Sequence, residues 1–262
     1  MYICPLISVV IPAYNAAELI GETIESVIRQ SFPDWELIVV DDGSTDNTVS
    51  VVEDFCTKDS RIRLISQPNS GVSIARNSGA EKAKGELISF LDSDDMWLED
   101  KLIVHVDYMQ RHPKAGISYA LVEAISPEGC PSGKVANNHL SCEDPHYLFY
   151  KNPTITPSNI VVRRKLFLKL GGFDESLVYT EDKEILFRLL CNSEFTVEQI
   201  DKILVRYRVH GSSSSSHLSK IEKGWRQFME KARDLVPEMV DKHYSSAYAS
   251  QLLFTQLFQH PL

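Results

Sequence analysis

The sequence predicts an α/β fold: a parallel sheet in the N-terminal third that becomes a mixed sheet further on, followed by a short C-terminal helical segment. Two observations carry this. Short β-branched runs alternate with segments of helical period, the mark of crossover units on a parallel sheet. Asp, Asn and Ser then gather where those runs end, at the carboxyl edge where open parallel sheets bind ligands. The size agrees, because 262 residues, 43% of them hydrophobic and 24% charged, suit one large domain or two small ones with a core that needs no covalent staples.

The elements follow in order. Ile7 to Ile11 is an apolar run fit for a buried strand, and Glu18 to Gln30 puts Leu19, Ile20, Thr23, Ile24, Val27 and Ile28 on one helical stripe that Pro33 stops. Leu37 to Val40 is the second strand, and the helix after it turns Thr48, Val49, Val52 and Phe55 or Cys56 inward. Arg61 to Ser66 is a third strand, a turn at Pro68 to Gly71 leads into a helix from Val72 to about Lys84, and Leu87 to Leu91 is the fourth strand. Beyond it the rhythm loosens. Lys101 to Gln110 is helical, Gly116 to Val122 a strand, and Ser126 to Asn138, rich in Pro, Gly, Ser and Asn, a loop or hairpin excursion. Asn159 to Val162 and Ile203 to Arg208 are strands, with helices at Lys165 to Leu170 and Asp182 to Leu190. Five serines, Ser212 to Ser216, precede a tail that reads as two helices.

Charge and cysteine usage exclude several classes. With 27 Lys plus Arg against 36 Asp plus Glu, a net charge of −9, a surface made to neutralise a nucleic-acid backbone is not expected. The apolar run Leu6 to Ala13 is too short to span a bilayer and lacks the basic flank and cleavage site of a signal peptide, so a cytoplasmic location is expected. Cys4, Cys56, Cys130, Cys142 and Cys191 show no paired spacing for zinc or redox chemistry and are expected to be reduced and mostly buried.

The acids stand at strand exits. The first strand runs into Pro12-Ala13-Tyr14-Asn15, the second into Asp41-Asp42-Gly43-Ser44, the fourth into Asp92-Ser93-Asp94-Asp95. Carboxylates converging on one rim are unfavourable unless a cation or a donor-rich ligand relieves them. Asp92, Asp94 and Asp95 suit a hard divalent ion that bridges to a diphosphate; as plain turn and cap residues they would need no ligand. The Asp41 to Ser44 run is likewise open to ordinary turn chemistry. Thr180-Glu181-Asp182 opens a helix, with Thr180 as N-cap and two acids in the first turn where the helix dipole favours them.

Taken together these stretches resemble the catalytic domain of glycosyltransferase family 2, which has the GT-A fold: a Rossmann-like nucleotide-binding half on a mixed central sheet. The match includes Val9 to Asn15, Val39 to Asp46, Asn69 to Asn77, Phe90 to Asp95, Gly171 to Glu175, Thr180 to Asp182 and Tyr207 to His210, in the family's order over roughly residues 5–215. The resemblance implies a catalytic domain over 1–216, with a nucleotide-binding half to about residue 100 and an acceptor half to 216, and a helical extension over 217–262. It also implies an inverting transfer from a nucleotide-sugar, usually a UDP-sugar, to a hydroxyl of a glycan, glycolipid or other lipid-linked acceptor. On that resemblance Pro12, Tyr14, Asp42, Arg76 and Asp92 contact the nucleotide, Asp94 and His210 hold Mn²⁺ or Mg²⁺, Asp182 is the general base and Glu181 supports it. Asp41 is left as structural and Asp95 as a supporting or acceptor-side group. The serine run would order over bound donor, and Gly171 to Asp174 would border the acceptor pocket or simply cap a helix before a buried Phe.

Two other classes compete. A non-catalytic nucleotide- or phospho-binding α/β signalling module also groups acids at strand ends, but leaves Thr180 to Asp182 and His210 without a role. A sugar nucleotidyltransferase would need a Gly-rich loop after the first strand, where this chain has Pro12-Ala13-Tyr14-Asn15. For the tail, with Trp225, Phe228, Tyr244, Tyr248, Phe254 and Phe258 among Lys220, Lys223, Arg226, Lys231 and Arg233, packing on the catalytic domain is the first expectation; homodimer contact or peripheral contact at the inner face of the membrane are the alternatives.

Overall fold

The computed structural model describes residues 5–139, 144–177, 179–192, 194–210 and 218–259. Its strands in chain order are β1 (Ile7–Ala13), β2 (Trp35–Asp41), β3 (Ile62–Ser66), β4 (Leu87–Phe90), β5 (Met96–Trp97), β6 (Ala115–Ile125), β7 (Pro131–Ala136), β8 (Val161–Arg163) and β9 (Thr196–Arg208). The helices are α1 (Ile20–Ile28), α2 (Thr48–Lys58), α3 (Val72–Lys82), α4 (Lys101–Arg111), α5 (Arg164–Lys169), α6 (Glu181–Asn192), α7 (Leu218–Leu235) and α8 (Pro237–Gln259). The expected run Ser212 to Ser216 lies outside the described residues.

One mixed sheet joins all of the strands in the order β3-β2-β1-β4-β8-β6-β9-β5, with β7 paired to β6. The first four are parallel, β8 is antiparallel to both β4 and β6, and β9 runs parallel to β6. The chain therefore reverses its winding at β1, which has β2 on one side and β4 on the other. Loops leaving adjacent strands in opposite directions at such a point open a crevice.

Both faces of the sheet are covered, which is why β1 and β2 read as unbroken apolar runs. Val10, Ile38, Val40, Ile88 and Phe90 point to one face and meet Ala75 and Ala80 of α3 and Ile185, Leu186 and Leu189 of α6. Ile7, Val9, Ile11, Leu37 and Val39 point to the other and meet Ile20, Ile24 and Val27 of α1, Val52 of α2 and Leu102 and Val106 of α4. Gly79 lets α3 approach closely, since a Cβ there would collide with Val10 and Val40.

The differences from the sequence reading have local causes. Ile28, expected on the inner stripe of α1, is 36% exposed, and Ser26 is buried in the facing position instead. Its hydroxyl donates to the Thr23 carbonyl at 2.7 Å and accepts the Trp97 amide at 3.2 Å, which fastens α1 to the unforeseen two-residue strand β5. The loop-or-hairpin stretch after residue 126 is a hairpin, with β7 returning along β6. β9 begins well before Ile203 and has register shifts against β6 at Ala120 and Leu121, so alternation fails as a guide there. Among the described cysteines Cys130 is exposed and Cys56 and Cys191 half-buried, which corrects the expectation of mostly buried thiols; Cys4 and Cys142 lie outside the described residues.

The tail packs on the sheet and its helices. Trp225, Phe228, Met229 and Ala232 of α7 and Val240 and Ala247 of α8 share one core with Val10 and Phe90. Phe228 meets Phe187 of α6 edge-on at 5.5 Å, and Trp225 donates its indole proton to the Phe149 carbonyl at 2.9 Å. Three of its cations are paired, Arg226 with Glu222, Lys231 with Asp174 and Arg233 with Asp241. Among the described residues no helix is long and apolar enough to cross a membrane.

One buried charge works against this fold. Lys101, at the start of α4, is fully buried, with Nζ 3.4 Å from His105 Nε2 and 4.8 Å from the centre of the Trp97 ring. His105 Nδ1 lies 2.8 Å from the Ser118 hydroxyl. Burial pulls the Lys101 ammonium down to about 7, and burial together with Lys101 pulls His105 well below its ordinary range. Between about 7 and the ordinary lysine value the unfolded chain binds the extra proton, so the penalty is full below about 7 and fades as pH rises. Replacing Lys101 with Met keeps the length of the stem and removes the charge. Lys101→Met is expected to raise stability by about 1–3 kcal/mol at pH 7 and by clearly less at pH 9.5, as measured by urea unfolding at the two pH values.

Candidate active site

The loops after β1 and β2 are tied into one rim. Asn15, in the left-handed region at φ 49°, donates its amide to Ser44 Oγ at 2.9 Å and accepts the Thr45 amide on Oδ1 at 2.8 Å. The Ala16 amide bonds Thr48 Oγ1 at 2.8 Å, and the Asp42 amide bonds the Ala13 carbonyl at 2.8 Å. Pro12 is buried inside β1, whereas Tyr14 projects with 52% of its surface exposed, a free aromatic face beside the crevice.

Asp41 is structural, accepting the Ser44 amide at 3.2 Å. Asp42 is buried, and its carboxylate accepts Gln67 Nε2 at 2.7 Å and the amides of Ser70 and Gly71 at 3.0 and 2.8 Å. It thereby fixes the loop that leads into α3. Gly43, at φ 77°, is required here, since a Cβ would stand 2.8 Å from the Asn69 amide nitrogen. A carboxylate has about four acceptor positions, so Asp42 retains one for a ligand.

Arg76 of α3 joins the two halves of the site. It is 3% exposed; its Nη2 lies 2.5 Å from Asp92 Oδ1 and its Nη1 2.7 Å from Glu181 Oε1. Although burial disfavours its charge, Asp92 and Glu181 hold Arg76 firmly protonated. The sequence reading put Arg76 on the nucleotide; the structure places it between a strand-end acid and the first residue of α6. Burial raises the Glu181 carboxyl, with Arg76 opposing and Asp182 adding to the rise. Glu181 Oε2 and Arg76 Nε are buried with no hydrogen-bond partner.

The three aspartates after β4 separate by role. Asp92 is held by Arg76 and by the Thr156 hydroxyl at 3.2 Å, with its amide bonded to Ser158 Oγ at 2.9 Å. Asp94 Oδ2 lies 2.9 Å from His210 Nε2, with side-chain exposures of 33% and 19%, and its carboxyl is raised by burial and by Asp92. Asp95 is fully buried, which rules out an acceptor-side position. It accepts the Ser158 hydroxyl at 2.6 Å and the Arg208 amide at 3.0 Å, and burial, then Asp94 and Asp92, raise it well above the carboxylate range. Arg208 in turn donates to the Asp94 carbonyl at 2.8 Å and pairs with Glu22 at 2.7 Å, so the end of β9 clamps the acid turn.

Asp182, in the first turn of α6, is 4% exposed. Its Oδ2 accepts Asn152 Nδ2 at 2.7 Å and lies 3.1 Å from Thr154 Oγ1, while Oδ1 accepts the Lys183 amide at 2.8 Å. Thr180, expected to cap the helix, instead donates its hydroxyl to the Gly224 carbonyl of α7 at 3.1 Å. Gly172, at φ 74°, lets Asn77 clasp the main chain of Phe173 at 2.9 Å on both sides, behind the site. Asn152, Thr154, Thr156 and Ser158 went unrecognised in the sequence. From Thr154 on they lie on bends and a short 3-10 turn at Pro157–Asn159, which leave no regular period in the sequence to read.

The donor chemistry at Asp94 and His210 fits a divalent cation. A carboxylate oxygen and an imidazole nitrogen side by side are ligands Mn²⁺ accepts, and three neighbouring acids supply the field that a cation relieves. Among the described residues no group of three His, Cys, Asp or Glu side chains converges, so this pair would supply two ligands and leave the rest to phosphate oxygens and water.

Known proteins resemble this chain in sequence and in fold. The sequence profile of the family Glycosyl transferase family 2 matches residues 8–171. The Bacillus subtilis protein TuaG, a glycosyltransferase named for teichuronic acid biosynthesis, is 33% identical over 230 residues, 86% of this chain and 88% of its own. The Escherichia coli protein WfgD, named a UDP-Glc:α-D-GlcNAc-diphosphoundecaprenol β-1,3-glucosyltransferase, is 32% identical over 222 residues, 84% of each chain. Among solved structures, Staphylococcus aureus TarS 1–349 in complex with UDP-GlcNAc has a TM-score of 0.70 at 23% identity, covering 90% of this chain and 69% of TarS. The mannosyltransferase PcManGT of Pyrobaculum calidifontis, in complex with GDP-Man and Mn²⁺, has a TM-score of 0.69 at 20% identity, covering 94% of this chain and 70% of its own. The fold is that of the GT-A glycosyltransferases.

The buried pairs around Arg76 generate a stability prediction. Removing the guanidinium leaves Asp92 and Glu181 without their shared cation, so Arg76→Met is expected to cost about 3–5 kcal/mol in urea unfolding at pH 7. Arg76→Lys is expected to recover only part of this, because one ammonium lacks the fork that reaches both carboxylates.

Proposed function

We propose, on the premise that the chain belongs to glycosyltransferase family 2, that it moves a sugar from a nucleotide-sugar to a hydroxyl of a glycan or lipid-linked acceptor by a single, inverting displacement. The observation that carries this reading is the line Asp92, Arg76, Glu181, which joins the acids at the β4 exit to the α6 terminus bearing Asp182. An enzyme that holds a donor at one end of that line and deprotonates an acceptor at the other needs both ends fixed in one frame.

In this reading the donor lies in the crevice at the β1 switch point. Tyr14 offers its exposed face to the base, the remaining acceptor position on Asp42 takes a base N–H, the Pro12 end of β1 lines the site, and Asp92 and Arg76 meet the ribose and phosphates. A UDP-sugar is the first candidate, supported by the donor in the name of WfgD and the ligand of TarS. Asp94 and His210 would hold Mn²⁺ or Mg²⁺, which when bound offsets the charge gathering on the departing diphosphate. Asp182 takes the proton of the acceptor hydroxyl, the oxygen forms its bond to the anomeric carbon, and the bond from that carbon to the phosphate oxygen breaks. Glu181 steadies Arg76 through the change. Acceptors of the cell-surface polymer or polyprenol type are supported by the names of TuaG and WfgD, and they suit a cytoplasmic enzyme working at the inner face of the membrane.

The test is a panel of nucleotide-sugars with and without Mn²⁺, read by nucleotide release and thermal shift. A ligand at about 100 times its Kd adds about 2.7 kcal/mol, a shift of several degrees for a chain of this size. Asp182→Asn is expected to keep the donor-induced shift and lose transfer by at least about 10², and Asp94→Ala to lose the Mn²⁺ dependence of binding. Absence of any shift or release with every UDP-sugar plus Mn²⁺ would overturn the donor assignment; transfer by Asp182→Asn at the unmodified rate would overturn the base.

A further inference from the structure

The segment Asn152 to Asn159 runs between two acidic groups and serves one with its first half and the other with its second. Asn152 and Thr154 reach Asp182 Oδ2 at 2.7 and 3.1 Å. Thr156 lies 3.2 Å from Asp92 Oδ2, and Ser158 donates to Asp95 Oδ2 at 2.6 Å. Asn159 anchors the far end on β6, exchanging hydrogen bonds with the Ala120 amide and carbonyl at 2.9 and 2.8 Å. Thr154, Thr156, Ser158 and Asn159 are all 2% exposed or less. Between the two pairs of contacts stands Ile155 at φ 69°, a conformation a β-branched residue keeps only when its surroundings impose it.

We propose that Asn152 and Thr154 are positioning residues for the transfer, turning the Asp182 carboxylate toward the acceptor, and that this strap sets its place relative to the acid turn at Asp92. The inference rests on reading Asp182 as the base. Two side-chain donors occupy Oδ2 and one main-chain amide occupies Oδ1. With the Thr154 proton directed to Oδ2, the free one of about four acceptor positions lies on Oδ1, so the strap decides which oxygen takes the proton. The Thr154 hydroxyl also lies 2.9 Å from Asn152 Oδ1, and its single proton can serve either acceptor while Asn152 holds Asp182 throughout.

The experiment compares Asn152→Ala, Thr154→Val and Thr154→Ser. Release of UDP from UDP-glucose and UDP-N-acetylglucosamine is followed against pH, and the crystal structure of the Asn152→Ala/Thr154→Val protein is determined. A loosened base is expected to lower kcat about 10- to 100-fold with donor KM changed less than about threefold. Fewer donors to the carboxylate are expected to move the acid limb of kcat to higher pH, and Thr154→Ser to recover most of the Thr154→Val loss. In the crystal the Asp182 side chain is expected to turn from its place. An Asp182 that stays put in the double variant, an unmoved acid limb, or a rise in KM matching the fall in kcat overturns the proposal. Should the unsubstituted protein release no UDP from either, neither sugar is its donor, and the crystal comparison decides the positioning role without turnover.

Discussion

A single guanidinium buried between carboxylates from two different parts of the chain governs this structure. Arg76 meets Asp92 at the end of β4 and Glu181 at the start of α6, and it opposes the rise that burial imposes on the Glu181 carboxyl. The cost of desolvating three charges is recovered only because the fork reaches both partners in good geometry. That requirement fixes where α3 and α6 sit relative to the sheet. Arg76 offsets two charges, yet Asp94 and Asp182 lie close by, so the site holds more carboxylates than cations. A diphosphate adds more negative charge, which is the physical reason a cation at Asp94 and His210 would make the pocket hospitable to its donor.

The carboxyl edge of the sheet was legible in the sequence because its physics is local. A parallel strand buried on both faces must be an unbroken apolar run, so its end is visible as the first polar residues, and Asp42, Asp92 and Asp94 fall there. The place of Asp182 in the first turn of α6 was legible from the helix-start pattern of Thr180 to Asp182. What escaped notice depends on partners far away in the chain. Ser26 displaces Ile28 from the inside of α1 because it bonds Trp97, and the Thr156 bond to Asp92 spans 64 positions. Such bonds leave no periodicity behind. The bulged pairing of β9 with β6 erased alternation in the same way.

Arg76 also shows how far along the chain the partners of one side chain can lie. The resemblance put it at the nucleotide, and nothing in its neighbours on α3 announces Glu181, which is 105 positions away. The pairing became visible only once both helices were packed on the same face of the sheet. Thr180 is a parallel case: a sound local cap signal, yet its hydroxyl serves the Gly224 carbonyl of α7, because the helix start is pressed against the tail.

The two layers of apolar side chains close at different points along the chain. The layer holding Val9, Val39, α1, α2 and α4 draws nearly all its members from residues up to Val122, with Val161 and Val205 added later. The opposite layer needs α6, then Trp225 and Phe228, and finally Val240 and Ala247. During synthesis from the N-terminus, one side of the sheet is therefore clothed while on the other only α3 lies over Val10 and Val40 and Phe90 still lacks Phe167 and Phe173, a partly covered intermediate of the kind that associates readily. The last helices thus complete the cover of that face, late in the life of the nascent chain.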